Sequence, residues 1–482
     1  MLYMQLEKTM FREYDIRGLV DKELTKEAAK AIGKAFGTFL LKRKIRDCII
    51  GHDAREYSER LQDAFTEGLT STGINAIDIG LVITPITYFA QVHFKVKGCA
   101  MITASHNPNG WSGFKLGYDY AKTLLPEDIK EIYGIIEKEK FIKGKKTGKV
   151  KKKEILNDYI KDLISKVKIK PENRAKGKSE NEAQKNKKFK IVINARNGTA
   201  SEIAPPLFEK AGCEVIRQFC RIDFNSPNGN ADPSLDEMLN ETGKKVRKEK
   251  ADLGFAFDGD GDRLGIVDEK GNAIYPDRWL ILLAKGILKK YPKSKIVFDV
   301  KCTKALADEI SKCSGVPVMW KTGHSHIKKK AHEIKAALAG ERSGHIFFLK
   351  GYYGYDDACF AGLKILEFLS EENKKMSELI DDLPKYYSSP VIHAHCNDKA
   401  KYQIVNSLIK IFKKKFPGKV NDINGARLEF EDGFGLVRAS SNLPALVLVF
   451  EAKSQKRLDE IIEVFKKELS NFKEIGEWKF GG

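Results

Sequence analysis

No stretch of this 482-residue chain is apolar for the roughly 20 residues that a membrane-crossing helix needs, which excludes a helical membrane protein as a class. Residues 1–10 alternate apolar with polar side chains and include Glu7 and Lys8, so they lack the unbroken apolar core of a secretory leader. The expectation is a cytoplasmic protein without a membrane partner. Cysteine is sparse and scattered: Cys48, Cys99, Cys213, Cys220, Cys302, Cys313, Cys359 and Cys396 form no Cys-x-x-Cys pair. That spacing offers neither a zinc ribbon nor a dithiol redox site, and the thiols are expected reduced and mostly buried. Acidic residues are in deficit, 66 against 85 lysines and arginines, for a net charge of +19. The excess gathers in lysine runs within residues 143–153, 185–190, 328–330 and 413–415. Nucleic-acid binders usually couple such charge to interleaved aromatics or a recognisable reading module, and the sequence has neither. The runs read as solvated surface whose field steers an anionic substrate, and no nucleic-acid partner is expected.

What is present is an alternation of apolar strands and amphipathic helices. Apolar spacing predicts helices over residues 26–41 and 61–72, and a further one opening at Thr84-Pro85, where proline suits the first turn. Short apolar runs predict strands over residues 48–53, 77–80 and 98–102. Strands alternating with helices imply βαβ units and a mostly parallel sheet. Two later stretches repeat the outline. One strand ends in Asn194-Ala195-Arg196-Asn197-Gly198 before a helix over 200–211; another ends in Asp299-Val300-Lys301-Cys302-Thr303 before a helix over 304–313. These three strand–turn–helix units share an architecture that suggests duplication. Each sets polar residues at a strand's carboxyl end, where open α/β sheets form their sites: Asp53, Arg55 and Ser58; Asn194 and Arg196; Lys301 and Thr303. Residues 168–188 are nearly all polar and read as a surface insertion or linker. From Ser388 onward, a strand over 443–450 and a helix over 456–469 indicate a smaller α+β domain.

Two motifs carry the chemistry. Met101-Ile102-Thr103-Ala104-Ser105-His106-Asn107-Pro108-Asn109-Gly110 ends a strand in turn residues, which predicts Ser105 exposed at the strand's end. Asp258-Gly259-Asp260-Gly261-Asp262-Arg263 follows a strand predicted over 251–257, and its glycines let three carboxylates converge. Three hard oxygens suit Mg²⁺ rather than zinc. An EF-hand is rejected, because Arg263 stands where that loop needs glycine and a strand precedes it. The metal needs further oxygens, and a phosphate on Ser105 could supply one, which points to phosphoryl transfer. Lys115 is a candidate proton shuttle or phosphate contact. Glu341 and Ser343, in Gly340-Glu341-Arg342-Ser343-Gly344-His345, could meet sugar hydroxyls, although the stretch by itself reads as an ordinary turn. His324 offers a general acid or base, or is simply a loop histidine. Arg438, Ser440, Ser441 and Asn442 suit a phosphate monoester and suit a polar β-turn as well.

Taken together and in order, these stretches resemble the α-D-phosphohexomutase family over nearly the whole chain, beginning at Tyr14-Asp15-Ile16-Arg17-Gly18. Within it, the stretches around Lys301, His324 and Glu341 are most similar to the bacterial dual-specificity phosphomannomutase/phosphoglucomutase group. The resemblance implies three related mixed-sheet α/β domains and a smaller C-terminal α+β domain around a central cleft. The expected bounds are residues 1–160, 161–272, 273–385 and 386–482. It implies an isomerase that moves a phosphoryl group reversibly between O1 and O6 of mannose or glucose phosphate, through phosphoserine at Ser105 and a hexose 1,6-bisphosphate. Asp258, Asp260, Asp262 and Ser105 would hold one Mg²⁺. Arg17, Lys115 and Arg263 would serve the phosphoserine and the proton transfers. Glu341 and Ser343 would bind the sugar, Tyr14, Lys301 and His345 (with His324) the sugar phosphate, and Arg438, Ser440, Ser441 and Asn442 the phosphate that stays. Sugar phosphates are the expected partners of a monomer or weak dimer. Phosphoglucosamine mutase is the nearest alternative, and a non-catalytic lysine-rich nucleic-acid-binding relative the rival from another class. Arg342 departs from the group's usual Met, and Val449 from its usual Arg.

Overall fold

The structure, a computed structural model, describes residues 6–120, 122–170, 188–441 and 443–478. Most of the expected insertion over 168–188, and Asn442, lie outside them. The chain divides into two compact units: Met1–Pro276 with Ser343–Leu379, and Asp277–Arg342 with Ile380–Gly482.

The first unit holds two sheets. One runs in the order Ile16–Leu19, Trp111–Tyr118, Gly98–Ile102, Asp47–His52, Asn75–Leu81 and Val150–Lys152, with Lys122–Thr123 beside Trp111–Tyr118. Its central ladders are parallel, while Trp111–Tyr118 pairs antiparallel on both sides. The sheet is therefore mixed rather than mostly parallel, because a turn too short for a crossover joins Gly98–Ile102 to Trp111–Tyr118. The helices Lys26–Lys42 and Ser58–Ser71 beside it pack against each other nearly backbone to backbone. A Cβ on Gly33 would meet Phe65 O at 2.1 Å, and one on Gly68 would meet Lys30 O at 2.0 Å. Ile16 and Arg17 lie in the strand Ile16–Leu19, drawn in by pairing with Phe114 and Gly113.

The second sheet is Ala273–Ile274, Leu264–Asp268, Leu253–Phe257, Lys190–Asn194 and Glu214–Gln218, again mixed. The helix expected over 200–211 is broken. A 3₁₀ turn at Thr199–Glu202 gives way to Ala204–Lys210, whose prolines sit in its first turn, where the missing N–H groups are harmless. The stretch leading up to residue 170 holds the helices Pro126–Glu137 and Leu156–Ser165.

In the second unit, Val316–Trp320, Lys295–Asp299 and Leu338–Gly340 run parallel. The C-terminal sheet is antiparallel, built around Ala445–Ala452, Gly433–Ala439 and Ala426–Phe430, with helices Ala400–Lys415 and Gln455–Leu469 over one core. This is the smaller α+β domain. Val449 packs with Val300, Phe434 and Leu436. Each cysteine is a free thiol, six buried and two half-buried. Among the described residues, no helix is long and apolar enough to cross a membrane.

Candidate active site

The first unit gathers its chemistry where the two sheets' loops meet. Gly98–Ile102 delivers Thr103 and Ala104, after which Ser105 turns the chain at φ 52°. That left-handed backbone is uncommon for serine and is held by the Thr103 Oγ1 that accepts Ser105 N–H at 2.8 Å. Ser105 is not exposed, as the turn chemistry alone suggests: it is 1% accessible. The Asp258 loop covers it, and its hydroxyl donates to Asp258 Oδ2 at 2.7 Å. The burial comes from a segment 153 residues away, which no local pattern can reveal.

Asp258, Asp260 and Asp262 are all fully buried, and oxygens from the three lie within 4.8 Å of one another. Asp258 Oδ1 accepts the N–H groups of Asp262 and Arg263 at 3.0 and 3.1 Å, which closes the loop. Asp260 Oδ2 accepts from Lys115 Nζ at 2.7 Å and from Thr84 Oγ1 at 2.6 Å. Lys115 also pairs with Asp262 Oδ2. Burial, joined by the charges of Asp262 and Asp260, pushes Asp258 well above the usual carboxylate range. Asp262 sits well below that range: burial opposes this, but Lys115 first and then His345 and Arg263 outweigh it. Burial likewise disfavours the Lys115 ammonium, yet Asp260 and Asp262 hold it far above the ordinary lysine value. Asp260 Oδ1 is buried with no hydrogen-bond donor among the described residues. An orphaned carboxylate oxygen in an all-oxygen cluster fits a hard divalent cation.

Arg17 donates to Asp15 Oδ2 at 2.8 Å, to Ala104 O at 3.2 Å and to Asn107 Oδ1 at 2.5 Å, so it braces the serine turn. Tyr14 is buried just ahead of it. Arg263 Nε lies 3.4 Å from His345 Nε2, which is also 3.3 Å from Asp262 Oδ1, while His345 Nδ1 meets Ser343 Oγ at 3.0 Å. Thus Ser105, Lys115, Arg17, Arg263, Ser343, His345 and the three aspartates share one neighbourhood.

The second unit holds the others. Lys301 Nζ pairs with the buried Asp299 at 3.1 Å, and Glu341 Oε1 accepts Gly323 N–H at 2.7 Å. His324 is buried as the first residue of the helix His324–Glu333, not in a loop. Arg438 donates to Asn424 Oδ1 at 3.1 Å and to Ser441 Oγ at 3.2 Å; Ser440 Oγ accepts Leu443 N–H at 3.1 Å. Asn442 lies outside the described residues.

Sequence reasoning missed His106, Thr84 and Asp232. His106 Nδ1 is 3.2 Å from Ser105 Oγ, and burial with the charge of Arg263 pushes its pKa well below the ordinary histidine value. Asp232, held low against burial by His106 and Arg263, completes that charge cluster. Adjacency to Ser105 could have flagged His106; nothing local marks the other two.

Comparison with known proteins follows the same outline. The chain matches descriptions of phosphoglucomutase/phosphomannomutase alpha/beta/alpha domains I, II and III over residues 8–143, 157–271 and 275–387, and of the C-terminal domain over 392–468. It is 39% identical over 464 residues to the phosphomannomutase/phosphoglucomutase of Pseudomonas aeruginosa, covering 96% of each chain. It is 34% identical over 462 residues to the phosphoglucomutase/phosphomannomutase of Thermococcus kodakarensis, covering 94% of this chain and 97% of the relative. A crystal structure of a phosphoglucomutase/phosphomannomutase family protein from Burkholderia thailandensis superimposes with a TM-score of 0.88 at 35% identity, covering 97% of this chain and 98% of that one.

Proposed function

We propose, from the premise that this chain belongs to the phosphoglucomutase/phosphomannomutase family, that it moves a phosphoryl group between O1 and O6 of a hexose phosphate, mannose or glucose phosphate by the resemblance. The observation that carries the reading is Ser105: a buried hydroxyl 2.7 Å from Asp258, beside a lysine and an arginine at the same loops. An ordinary loop serine has no reason to be enclosed by three carboxylates and their counter-charges.

In the proposed reaction Ser105 carries the phosphoryl group. A sugar hydroxyl attacks phosphorus, the new P–O bond forms and the P–Oγ bond breaks. The hydroxyl's proton goes to a base, and the departing Ser105 oxygen takes one up. The bisphosphorylated sugar reorients and returns its other phosphoryl group to Ser105, reversing each transfer. Lys115 and Arg263 supply positive charge where Oγ departs, and Arg17 fixes the turn. Mg²⁺, one per chain on Asp258, Asp260 and Asp262, would act as the Lewis acid that neutralises charge on the leaving oxygen. His324 is proposed as general acid or base. Tyr14, Lys301, Glu341, Ser343 and His345 are proposed for the sugar phosphate, and Arg438, Ser440, Ser441 and Asn442 for the phosphate that stays.

The test is made on the full chain. Intact mass after incubation with glucose 1,6-bisphosphate is expected to show one phosphoryl adduct at Ser105. Turnover should vanish with a chelator and return with Mg²⁺, and Ser105→Ala should abolish both adduct and turnover. Full activity in Ser105→Ala would refute the phosphoserine mechanism. Tight duplex DNA binding near physiological salt with no turnover would favour the nucleic-acid rival. A coupled assay on mannose, glucose and glucosamine 1-phosphates decides between the dual-specificity reading and phosphoglucosamine mutase.

A further inference from the structure

Arg55 has no part in the reaction as read above, although it stands at the carboxyl end of the strand Asp47–His52, where a site residue belongs. Its guanidinium reaches the back of the serine turn. Nη2 donates to Ser105 O at 2.9 Å and to Asn107 O at 2.7 Å, and Nη1 donates to Pro108 O at 3.2 Å. Nε donates to Asp53 Oδ2 at 3.2 Å. Asp53 is buried and fixed in turn: its Oδ1 accepts Ser58 Oγ at 2.5 Å and Arg55 N–H at 3.1 Å. A planar fork with donors in fixed directions thus clamps three carbonyls of one turn, those of Ser105, Asn107 and Pro108.

The consequence falls on Ser105. Its backbone lies in the left-handed region at φ 52°. Its carbonyl is bound to Arg55 while its hydroxyl is bound to Asp258, so rotating the residue toward an ordinary conformation breaks one contact or the other. Arg17 takes Ala104 O from the other flank. Two arginines thus hold four of the turn's carbonyls, and the hydroxyl is the side-chain group that meets Asp258. The second sheet repeats the device. Arg196, on the matching turn after Lys190–Asn194, donates to Asn230 O at 3.1 Å, and the next carbonyl, Ala231 O, accepts Gly259 N–H at 3.1 Å. The two turns touch through Ala54 N–H and Thr199 Oγ1 at 2.9 Å. Arg55 therefore braces the serine turn directly, and Arg196 braces the Asn230-Ala231 segment to which the aspartate loop is bonded.

We propose that Arg55 is a positioning residue for phosphoryl transfer: it acts through the carbonyls of Ser105, Asn107 and Pro108 to aim Ser105 Oγ at the aspartate cluster. The inference rests on the phosphoserine reading. A group displaced by about 1 Å from its reacting geometry can lose about 10²-fold in rate.

The experiment compares the full-length wild type with Arg55→Gln and Arg55→Lys, each loaded with glucose 1,6-bisphosphate and checked by intact mass. Three quantities are read: kcat and KM for glucose 1-phosphate, and the lifetime of the phosphoserine in buffer without sugar. In that last reaction water attacks phosphorus, the P–Oγ bond breaks, inorganic phosphate leaves and the serine hydroxyl regains a proton. For Arg55→Gln the expected result is a kcat down about 10²-fold, KM within a few-fold of wild type, and a phosphoserine lost faster because its turn is loose. Arg55→Lys, which keeps the charge without the fork, should fall between and decides the matter if Arg55→Gln does not fold. Wild-type kcat and phosphoserine lifetime in both variants, or a lowered melting temperature with unchanged kcat per phosphorylated molecule, would overturn the proposal. A wild type that takes no phosphoryl group would instead refute the phosphoserine reading beneath it.

Discussion

Arg342 shows what a residue's place in a motif leaves out. Its neighbours Glu341 and Ser343 read as sugar contacts, and a cation between them suggests a third. The structure turns it inward instead. Arg342 is 5% accessible, and its guanidinium donates to Asp277 Oδ2 at 3.2 Å, Lys301 O at 3.4 Å and Ser389 O at 3.2 Å. Asp277, itself 1% accessible, also accepts Thr303 N–H at 2.8 Å. Arg342 is therefore a buried counter-charge that fixes the Lys301 turn and the start of the C-terminal domain. Removing one partner of a buried pair leaves the other uncompensated, at a cost of about 3–5 kcal/mol. Arg342→Met is expected to lower unfolding stability by about that amount, read by denaturant titration, while the ratio of activities on mannose and glucose 1-phosphates stays as in wild type. A changed ratio with unchanged stability would overturn this structural reading of Arg342.

At the scale of elements, most strands and helices were legible because their apolar periodicity is local. Gly98–Ile102, Lys304–Lys312 and Gln455–Leu469 fall within a residue of the positions their sequences predict. The three aspartates were legible for the same reason, since their spacing already lies in one loop. How the elements lean on one another was not. Ser105 is buried rather than exposed, and Lys115 lies against Asp260 from 145 residues away. The closeness of the serine turn and the aspartate loop is set by Gly259, where an added Cβ would meet Ser105 O at 2.4 Å, well inside van der Waals contact. Neither backbone can yield easily, because Arg55 holds that carbonyl and Ala231 holds the Gly259 N–H. Gly259→Ala is expected to push the two loops apart and lower kcat about 10²-fold, with the circular-dichroism spectrum and hydrophobic core unchanged. Wild-type kcat in this variant would mean that the contact is loose in solution.

For the molecule as a whole, the sequence suggests four domains following one another along the chain, and the folded chain also gathers into two compact units. Residues Ser343–Leu379 pack with the first unit, far along the chain from its other strands. A buried polar knot fastens them. Asp357 caps the helix Ala358–Glu372 through Phe360 N–H at 2.9 Å and accepts the hydroxyls of Tyr159 at 3.0 Å and Tyr352 at 2.7 Å. Composition could not show this, because Asp356-Asp357 reads as an ordinary acidic turn until Tyr159 is brought to it. Burial is the largest influence on Asp357 and raises its pKa to about 7, although these donors pull it down. The folded chain thus holds a proton that the unfolded chain releases at the ordinary carboxylate value near 3.8. Because the folded value is the higher, Asp357's contribution to stability is full below about pH 4, falls as pH rises, and is lost above about pH 7. Asparagine caps a helix as well as aspartate and carries no titrating proton. Asp357→Asn should therefore gain stability relative to wild type as the pH rises from 4 to 7 and hold a constant difference above that, measured by urea titration at each pH. A difference that stays flat from pH 4 to 8 would show that Asp357 is ionised in the folded chain and that the tyrosine hydroxyls, rather than a retained proton, neutralise it.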